Sequence, residues 1–255
     1  MKQVPARVQG DMDPETGVIR RDRLQTTVNR YDLSALEAAL RIKDANADCR
    51  IDVFTMGPER AKELLRTAFA MGADNGYLIC DRAFGGADVL ATSYTLHQAI
   101  QAAGTYELIL CGRQTTDGDT AQVSGALAQW MEVPHLNWVN QILELGESDG
   151  TVCVETEEEK LTLRLPMPCV LSVEQDLYQP RMPILRLKMA AKKKPITQLS
   201  LESFDDTDPE HYGLRGSATR VRKIYPPEPI AHQPVLQESA EAAARHILSH
   251  WRELR

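Results

Sequence analysis

The sequence predicts an α/β protein: a parallel twisted sheet with helices on both faces, an edge hairpin and an extended C-terminal arm. Three observations predict it. Apolar runs of strand length alternate with helix-period stretches up to Pro134. Between Leu136 and Val173 the helix period disappears, and short apolar runs follow one another around the turn Gly-Glu-Ser-Asp-Gly at 146–150. Beyond Leu199 a polar, proline-bearing stretch ends in one more helical pattern.

The elements follow in order. Residues 1–4 begin a strand, and Asp13-Pro14-Glu15-Thr16-Gly17 reads as a turn. Asp32 is placed to cap a helix carrying Leu33, Leu36 and Leu40. Ile51 to Met56 is a strand, broken by Gly57-Pro58, which opens a helix with Ala61, Leu64, Leu65, Ala68 and Phe69 on one face. Tyr77 to Cys80 is a strand, Asp81 to Gly86 a loop, and about Asp88 to Ala103 a helix with Val89, Leu96 and Ile100 inward. Leu108 to Cys111 is the next strand. Leu136–Leu145, Val152–Thr156, Leu161–Leu165 and Val170–Val173 are further strands, two of them suited to an edge hairpin.

Pro180 and Pro183 make Gln179 to Leu185 an extended, exposed loop, with Met182 and Leu185 available for docking beside basic residues. The Lys192-Lys193-Lys194 run reads as a solvated face. Residues 199–234 show no core of their own, and a helix from about Leu236 presents Ala240, Ala243, Ala244, Ile247, Leu248 and Trp251 on one side. The expected division is an α/β domain over residues 1–198 and an arm over residues 199–255.

The most informative stretch runs from Leu108 to Met131, where a strand, a polar loop and a helix start succeed one another. A helix opening at Thr120 would aim free N–H groups of Asp119 to Gln122 at an anion, with Asp117 or Asp119 as cap. Gly112 and Gly118 allow close backbone approach, and Thr120 and Gln122 add donors. The motif is neither a P-loop nor a GxGxxG fingerprint. An ordinary capped helix would show the same residues, so a ligand and a plain cap both remain open on the motif alone. Two more loops, Met56-Gly57-Pro58 and Asp81 to Asp88, leave strand carboxyl ends and can converge on the same crevice.

Composition narrows the function classes. The chain has 255 residues, 43% hydrophobic and 25% charged, with net charge −7. That balance disfavours general nucleic-acid binding. No apolar run approaches the ~20 residues of a membrane span, and the first ten residues lack the apolar core of a signal peptide. The five cysteines form no C-x-x-C pair and read as free thiols of a cytoplasmic protein. His246 and His250 are four apart with no third ligand in the sequence nearby. No G-x-S-x-G elbow or Cys/His dyad is evident. The chain reads as a holder of a nucleotide or cofactor.

Several motifs resemble the electron transfer flavoprotein beta subunit family. They are Lys2-Gln3-Val4-Pro5, Asp13-Pro14 with Thr16-Gly17, and Asn29 with Tyr31 ahead of Leu-Glu-Ala-Ala-Leu-Arg. RTAFAMGAD (66–74), CGRQTTDGDTAQV (111–123), PRMPIL (180–185) leading to MAAKKKPI (189–196), and YGLRGSATRV (212–221) complete the set. The resemblance implies an adenine nucleotide alpha hydrolase-like sheet, an alpha-subunit partner carrying a flavin, and a C-terminal arm that wraps it. It also implies one of two ligands in this subunit: structural AMP, or a second FAD in members that bifurcate electrons from NADH. The AMP kind usually has Asn-Gln-Thr where this chain has Ala121-Gln122-Val123. With DRAFGGAD (81–88) and ATSYTL (91–96), the motif is similar to the FAD kind.

Position by position, the resemblance implies that Asn29, Arg30, Tyr31, Asp32 and Met56 border the adenine or ribose. Gly112, Arg113, Gln114, Thr115, Thr116, Asp117, Gly118, Asp119, Thr120, Ala121, Gln122 and Val123 would cradle the phosphates. Asp81, Arg82, Ala83, Phe84, Gly86, Asp88 and Thr92 would lie near the ribityl chain or isoalloxazine. Leu185, with Met182, would dock an acyl-CoA dehydrogenase-like flavoenzyme. A ferredoxin-like acceptor is also implied. Two departures stand out. The family's first strand normally carries several apolar residues before Lys-Gln-Val-Pro, so a weakened central strand and the loss of one backbone contact to the adenosine are expected. The docking loop reads Gln-Pro-Arg-Met where Glu-Pro-Arg-Tyr is commoner.

Overall fold

The structure is a computed structural model and describes residues 1–6, 25–222 and 238–253. The turn expected at 13–17, the Pro226–Pro229 run and the helix start at Leu236 lie outside the described residues. The chain order is β1 (Gln3–Pro5), β2 (Thr26–Val28), α1 (Arg30–Ala45), β3 (Asp52–Met56), α2 (Lys62–Met71), β4 (Asn75–Ile79) and α3 (Val89–Ala103). It continues with β5 (Leu108–Gly112), α4 (Val123–Met131), β6 (His135–Leu145), β7 (Asp149–Glu155), β8 (Lys160–Pro166) and β9 (Cys169–Val173). Last come α5 (Leu185–Ala191), β10 (Thr197–Leu199) and α6 (Ala240–Glu253).

Parallel strands flanked by helices bear out the α/β class. Among the described residues they form two main sheets. One is β10-β4-β3, all parallel; the other is β5-β9-β6-β7-β8. In the second, β5, β9 and β6 are parallel, while β6, β7 and β8 make an antiparallel meander. The expected edge hairpin is thus a three-stranded meander. Its alternating sequence explains it: Val152 and Val154 face the core with their β8 partners Leu163 and Leu161, while Lys160, Thr162 and Arg164 alternate outward.

Among the described residues no strand lies between β3 and β5. β1 is three residues long and, among the described residues, pairs only with β2. The amino group of Met1 donates to the Phe54 carbonyl of β3 at 2.7 Å. A groove of about 930 Å³ separates the two sheets, lined by Val53 and Phe54 on one side and Ile109 and Leu110 on the other.

Helix α1 packs on both sides of that division. Leu36 and Leu40 join the core of α2, β3 and β4, while Ala35 and Ala38 join the core of β6, β7 and β9. Asn29, and not Asp32, is its N-cap residue. The Asp32 carboxylate instead turns back to accept the Lys2 backbone N–H at 2.6 Å. In α3 the inward residues are Ala91, Ser93, Thr95, Gln98, Ala99 and Ile100, with Val89 and Leu96 only half-buried.

The stretch after Leu199, read above as coreless, is packed as far as residue 219. β10 extends the first sheet beside β4, so residue 199 sits inside a packed unit. Phe84, Phe204 and Tyr212 stack with centroids 5.5–5.9 Å apart. The fully buried Tyr212 hydroxyl donates to the Asp206 carbonyl at 2.6 Å. Gly213 has φ +55°, and a Cβ there would stand 2.1 Å from the Ala83 carbonyl oxygen. Only glycine lets this segment cross the 81–86 turn so closely. Lys194 is not merely solvated: its Nζ donates to the Ala73 carbonyl at 2.9 Å and sits 4.9 Å from the Phe69 ring centroid.

Candidate functional site

The carboxyl end of β5 meets the first turn of α1 at Gly112. A Cβ on Gly112 would lie 2.5 Å from Asp32 Oδ1 and 2.6 Å from the Tyr31 carbonyl carbon. The absence of a side chain is what brings Asn29 to Asp32 against the loop that follows β5. Asn29 is fully buried, and its Nδ2 donates to the Gln114 carbonyl at 2.8 Å. Its Oδ1 is buried with no partner, a cost that a ligand donor would relieve. Arg30 is exposed and Tyr31 half-buried at the same turn.

The loop from Gly112 to Val123 differs from the expectation in its details. α4 starts at Val123, not Thr120, and its N-cap residue Gln122 makes no side-chain capping bond. The reason is backbone conformation: Asp119 and Ala121 both have φ of +53°, which a right-handed helix cannot contain. The expected caps are engaged elsewhere. Asp117 takes Lys2 Nζ at 2.8 Å, and Asp119 takes Gln114 Nε2. Burial works to raise the Asp117 pKa, but the Lys2 bond and charge, with the Thr115 hydroxyl, together outweigh it and hold the carboxyl below its usual range.

Left-handed conformations at non-glycine residues cost about 1–2 kcal/mol each and cluster where a site needs them. Here they leave Thr116 to Thr120 and Gln122 exposed, with Thr115, Ala121 and Val123 half-buried. The amides of the first turn of α4 have no intrahelical acceptor. An uncapped helix start beside a positive-φ loop is suited to an anion.

Arg113 faces away from this loop. Its backbone N–H extends the ladder to the Val173 carbonyl at 3.0 Å. Its Nη1 donates to Glu174 Oε1 at 2.8 Å, and its guanidinium lies 5.0 Å from the Trp138 ring centroid. Trp138 itself has φ +63° at a β6 irregularity. Sequence reasoning missed Trp138 and Glu174, because nothing local marks a bulge or a partner 61 positions away. Lys2 was legible as part of its motif but was not assigned to the loop it holds.

The 81–92 segment is bound by the chain after β10. Asp81 accepts from Ala83 N–H at 3.0 Å and from Leu201 N–H at 3.2 Å. Phe84 is buried in the aromatic core against Phe204. Arg82 and Gly86 are exposed, Ala83 half-buried. Asp88 is the N-cap of α3, accepting from Ala91 N–H at 3.1 Å. Its other oxygen accepts from Thr219 N–H at 2.8 Å and Thr219 Oγ1 at 3.0 Å. Burial works to raise the Asp88 pKa, and these bonds more than offset it, so the group lies below its usual range. Thr92 continues the helix, bonded to the Asp88 carbonyl at 2.9 Å. Met56 is half-buried at the end of β3. The Asp88 backbone N–H also donates to Ser217 Oγ at 2.9 Å, and the contribution of Ser217 and Thr219 was not visible from their neighbours in sequence.

Fold and loop geometry together define an α/β protein with an anion-suited helix start at the carboxyl end of its parallel strands. The chain belongs to the electron transfer flavoprotein family, whose electron transfer flavoprotein domain matches residues 16–203. An electron transfer flavoprotein subunit beta of Megasphaera elsdenii is 39% identical over 89% of this chain and 86% of its own length. The caffeyl-CoA reductase-Etf complex subunit CarD of Acetobacterium woodii is 40% identical over 89% and 86%. A FixA protein of Bradyrhizobium diazoefficiens is 36% identical over 97% and 88%. The chain has the beta-subunit role in this family. Among the described residues no helix is long and apolar enough to cross a membrane.

Proposed function

We propose that this beta subunit binds FAD in the crevice between Asn29–Asp32 and Gly112–Val123. In this reading it passes electrons between NADH, the flavin of an alpha subunit and an acyl-CoA dehydrogenase-like partner, with flavin-based bifurcation. A ferredoxin-like protein would take the other electron. The observation that carries the reading is the geometry of these two segments. An orphaned Asn29 Oδ1 and an uncapped α4 start sit beside two strained, positive-φ residues. Those groups fit a ligand with hydrogen-bond donors at one end and phosphates at the other.

When bound, FAD supplies the redox chemistry, and the protein supplies binding, orientation and electrostatics. Asn29 Oδ1 would accept from the adenosine end. The amides at the start of α4 would face the diphosphate. The 81–92 segment, pinned through Asp88 to Thr219, would border the rest of the cofactor. Met182 and Leu185, 84% and 74% exposed, would meet the partner flavoenzyme. The relative named as a subunit of a caffeyl-CoA reductase-Etf complex supports a CoA-linked partner of this class.

The same phosphate contacts would serve AMP in a non-bifurcating beta subunit. The test is to purify the chain with its alpha subunit, extract the small molecules and count them. Two FAD per heterodimer support the proposal. One FAD and one AMP replace it with the AMP reading. A colourless chain that assembles with no alpha subunit points to a nucleotide-binding regulatory module without a redox role.

A further inference from the structure

The exposed apolar residues around Leu185 are held by a carboxylate that α1 supplies. Glu37 lies about two turns along α1 from Asn29 and is 3% exposed. Its Oε2 accepts from the Arg181 backbone N–H at 3.0 Å and from Arg181 Nε at 2.9 Å. Its Oε1 accepts from Arg181 Nη2 at 3.1 Å and from Arg41 Nε at 3.2 Å. Arg181 Nη2 also donates to Asp44 Oδ2 at 2.7 Å. Backbone and fork of one arginine are therefore both committed to one buried carboxylate, at the residue just before Met182.

Further ties follow along the segment. The Ile184 N–H donates to the Ala70 carbonyl at 3.2 Å. Arg66 Nη1 donates to the carbonyls of Ala191 and Lys194. Between the ties, Met182, Leu185 and Met189 remain 84%, 74% and 66% exposed. Ordering a contact segment in advance lowers the entropy lost when a partner arrives.

We propose that Glu37 is a positioning residue, whose fork with Arg181 presents the 182–189 segment to the partner flavoenzyme. The inference rests on the docking role given to Leu185 above. Helix α1 then serves two ends: its first turn borders the crevice, and Glu37 sets the direction of the docking segment. Arginine suits this because its planar fork donates from two nitrogens to the two carboxylate oxygens in one fixed orientation, where a lysine offers a single point charge.

The test uses the assembled heterodimer and reads reduction of purified acyl-CoA dehydrogenases as probe partners. Glu37→Gln is expected to raise KM for the dehydrogenase roughly tenfold. The kcat and the flavin content should stay at wild-type values. Arg181→Lys should move KM in the same direction by less, and it decides the matter if Glu37→Gln fails to assemble. Leu185→Ala is measured in parallel. If Leu185→Ala raises KM and the Glu37 and Arg181 variants do not, the positioning role is wrong and docking stands. A lower kcat at unchanged KM likewise overturns the positioning role. If no variant moves KM, or the wild type reduces no dehydrogenase, the docking reading fails and this inference with it.

Discussion

Replacing Gly112 by alanine would force the first turn of α1 to move. The new Cβ would stand 2.5 Å from Asp32 Oδ1, 2.6 Å from the Tyr31 carbonyl carbon and 2.7 Å from Tyr31 Cβ. Ordinary carbon contacts lie at about 3.5–4.0 Å, so a shift of roughly 1 Å is required. Two of the three clashing atoms belong to Tyr31 close to its backbone, which cannot rotate away. Overpacking of this kind costs about 1–3 kcal/mol. At about 2–4 °C per kcal/mol for a chain of this size, the melting temperature should fall by roughly 2–12 °C. The same movement pulls Asp32 from the Lys2 N–H and Asn29 from the Gln114 carbonyl. Bound nucleotide should therefore be lost along with stability. The assay is a thermal melt of the purified complex beside a count of extracted nucleotide. A variant with both values unchanged would refute the close approach as the device that builds the crevice.

Two further outcomes are expected. Asp88→Ala removes the α3 cap and the tie to Thr219, costing about 1 kcal/mol for the cap; faster amide exchange at Thr219 checks it, and wild-type protection there would contradict it. Glu37 lies below its ordinary pKa of 4.5, because burial works to raise it but the Arg181 hydrogen bonds outweigh that. Its stabilisation is therefore present above about pH 4.5 and lost as pH falls through the folded value. Glu37→Gln should flatten the acid limb of a stability-against-pH curve in that window. Parallel curves for the two proteins would speak against it.

Much of this architecture could be read locally. Strand and helix alternation, the helix start near Asp88 and the meander turn at 146–150 all follow from residues within a few positions of one another. What could not be read depends on distant partners. Arg113 looked like a loop donor until Glu174 and Trp138 claimed it. The α4 start looked like Thr120 because its residues suit a cap, yet the backbone at Asp119 and Ala121 turns the other way. Leu199, Phe204 and Tyr212 are too widely spaced among acidic residues to show a period, and only the aromatic stack with Phe84 reveals them as core.

Among the described residues the two sheets share no ladder of hydrogen bonds across the groove, so their union depends on packing: α1 places side chains in both cores, α3 packs on α4, and the Tyr106 hydroxyl donates to Asp52 Oδ2 at 2.8 Å. Unfolding should then proceed as two cooperative units linked through helix packing, each with its own free energy of opening. Under denaturant, probes placed in β4 and in β7 would report separate transitions.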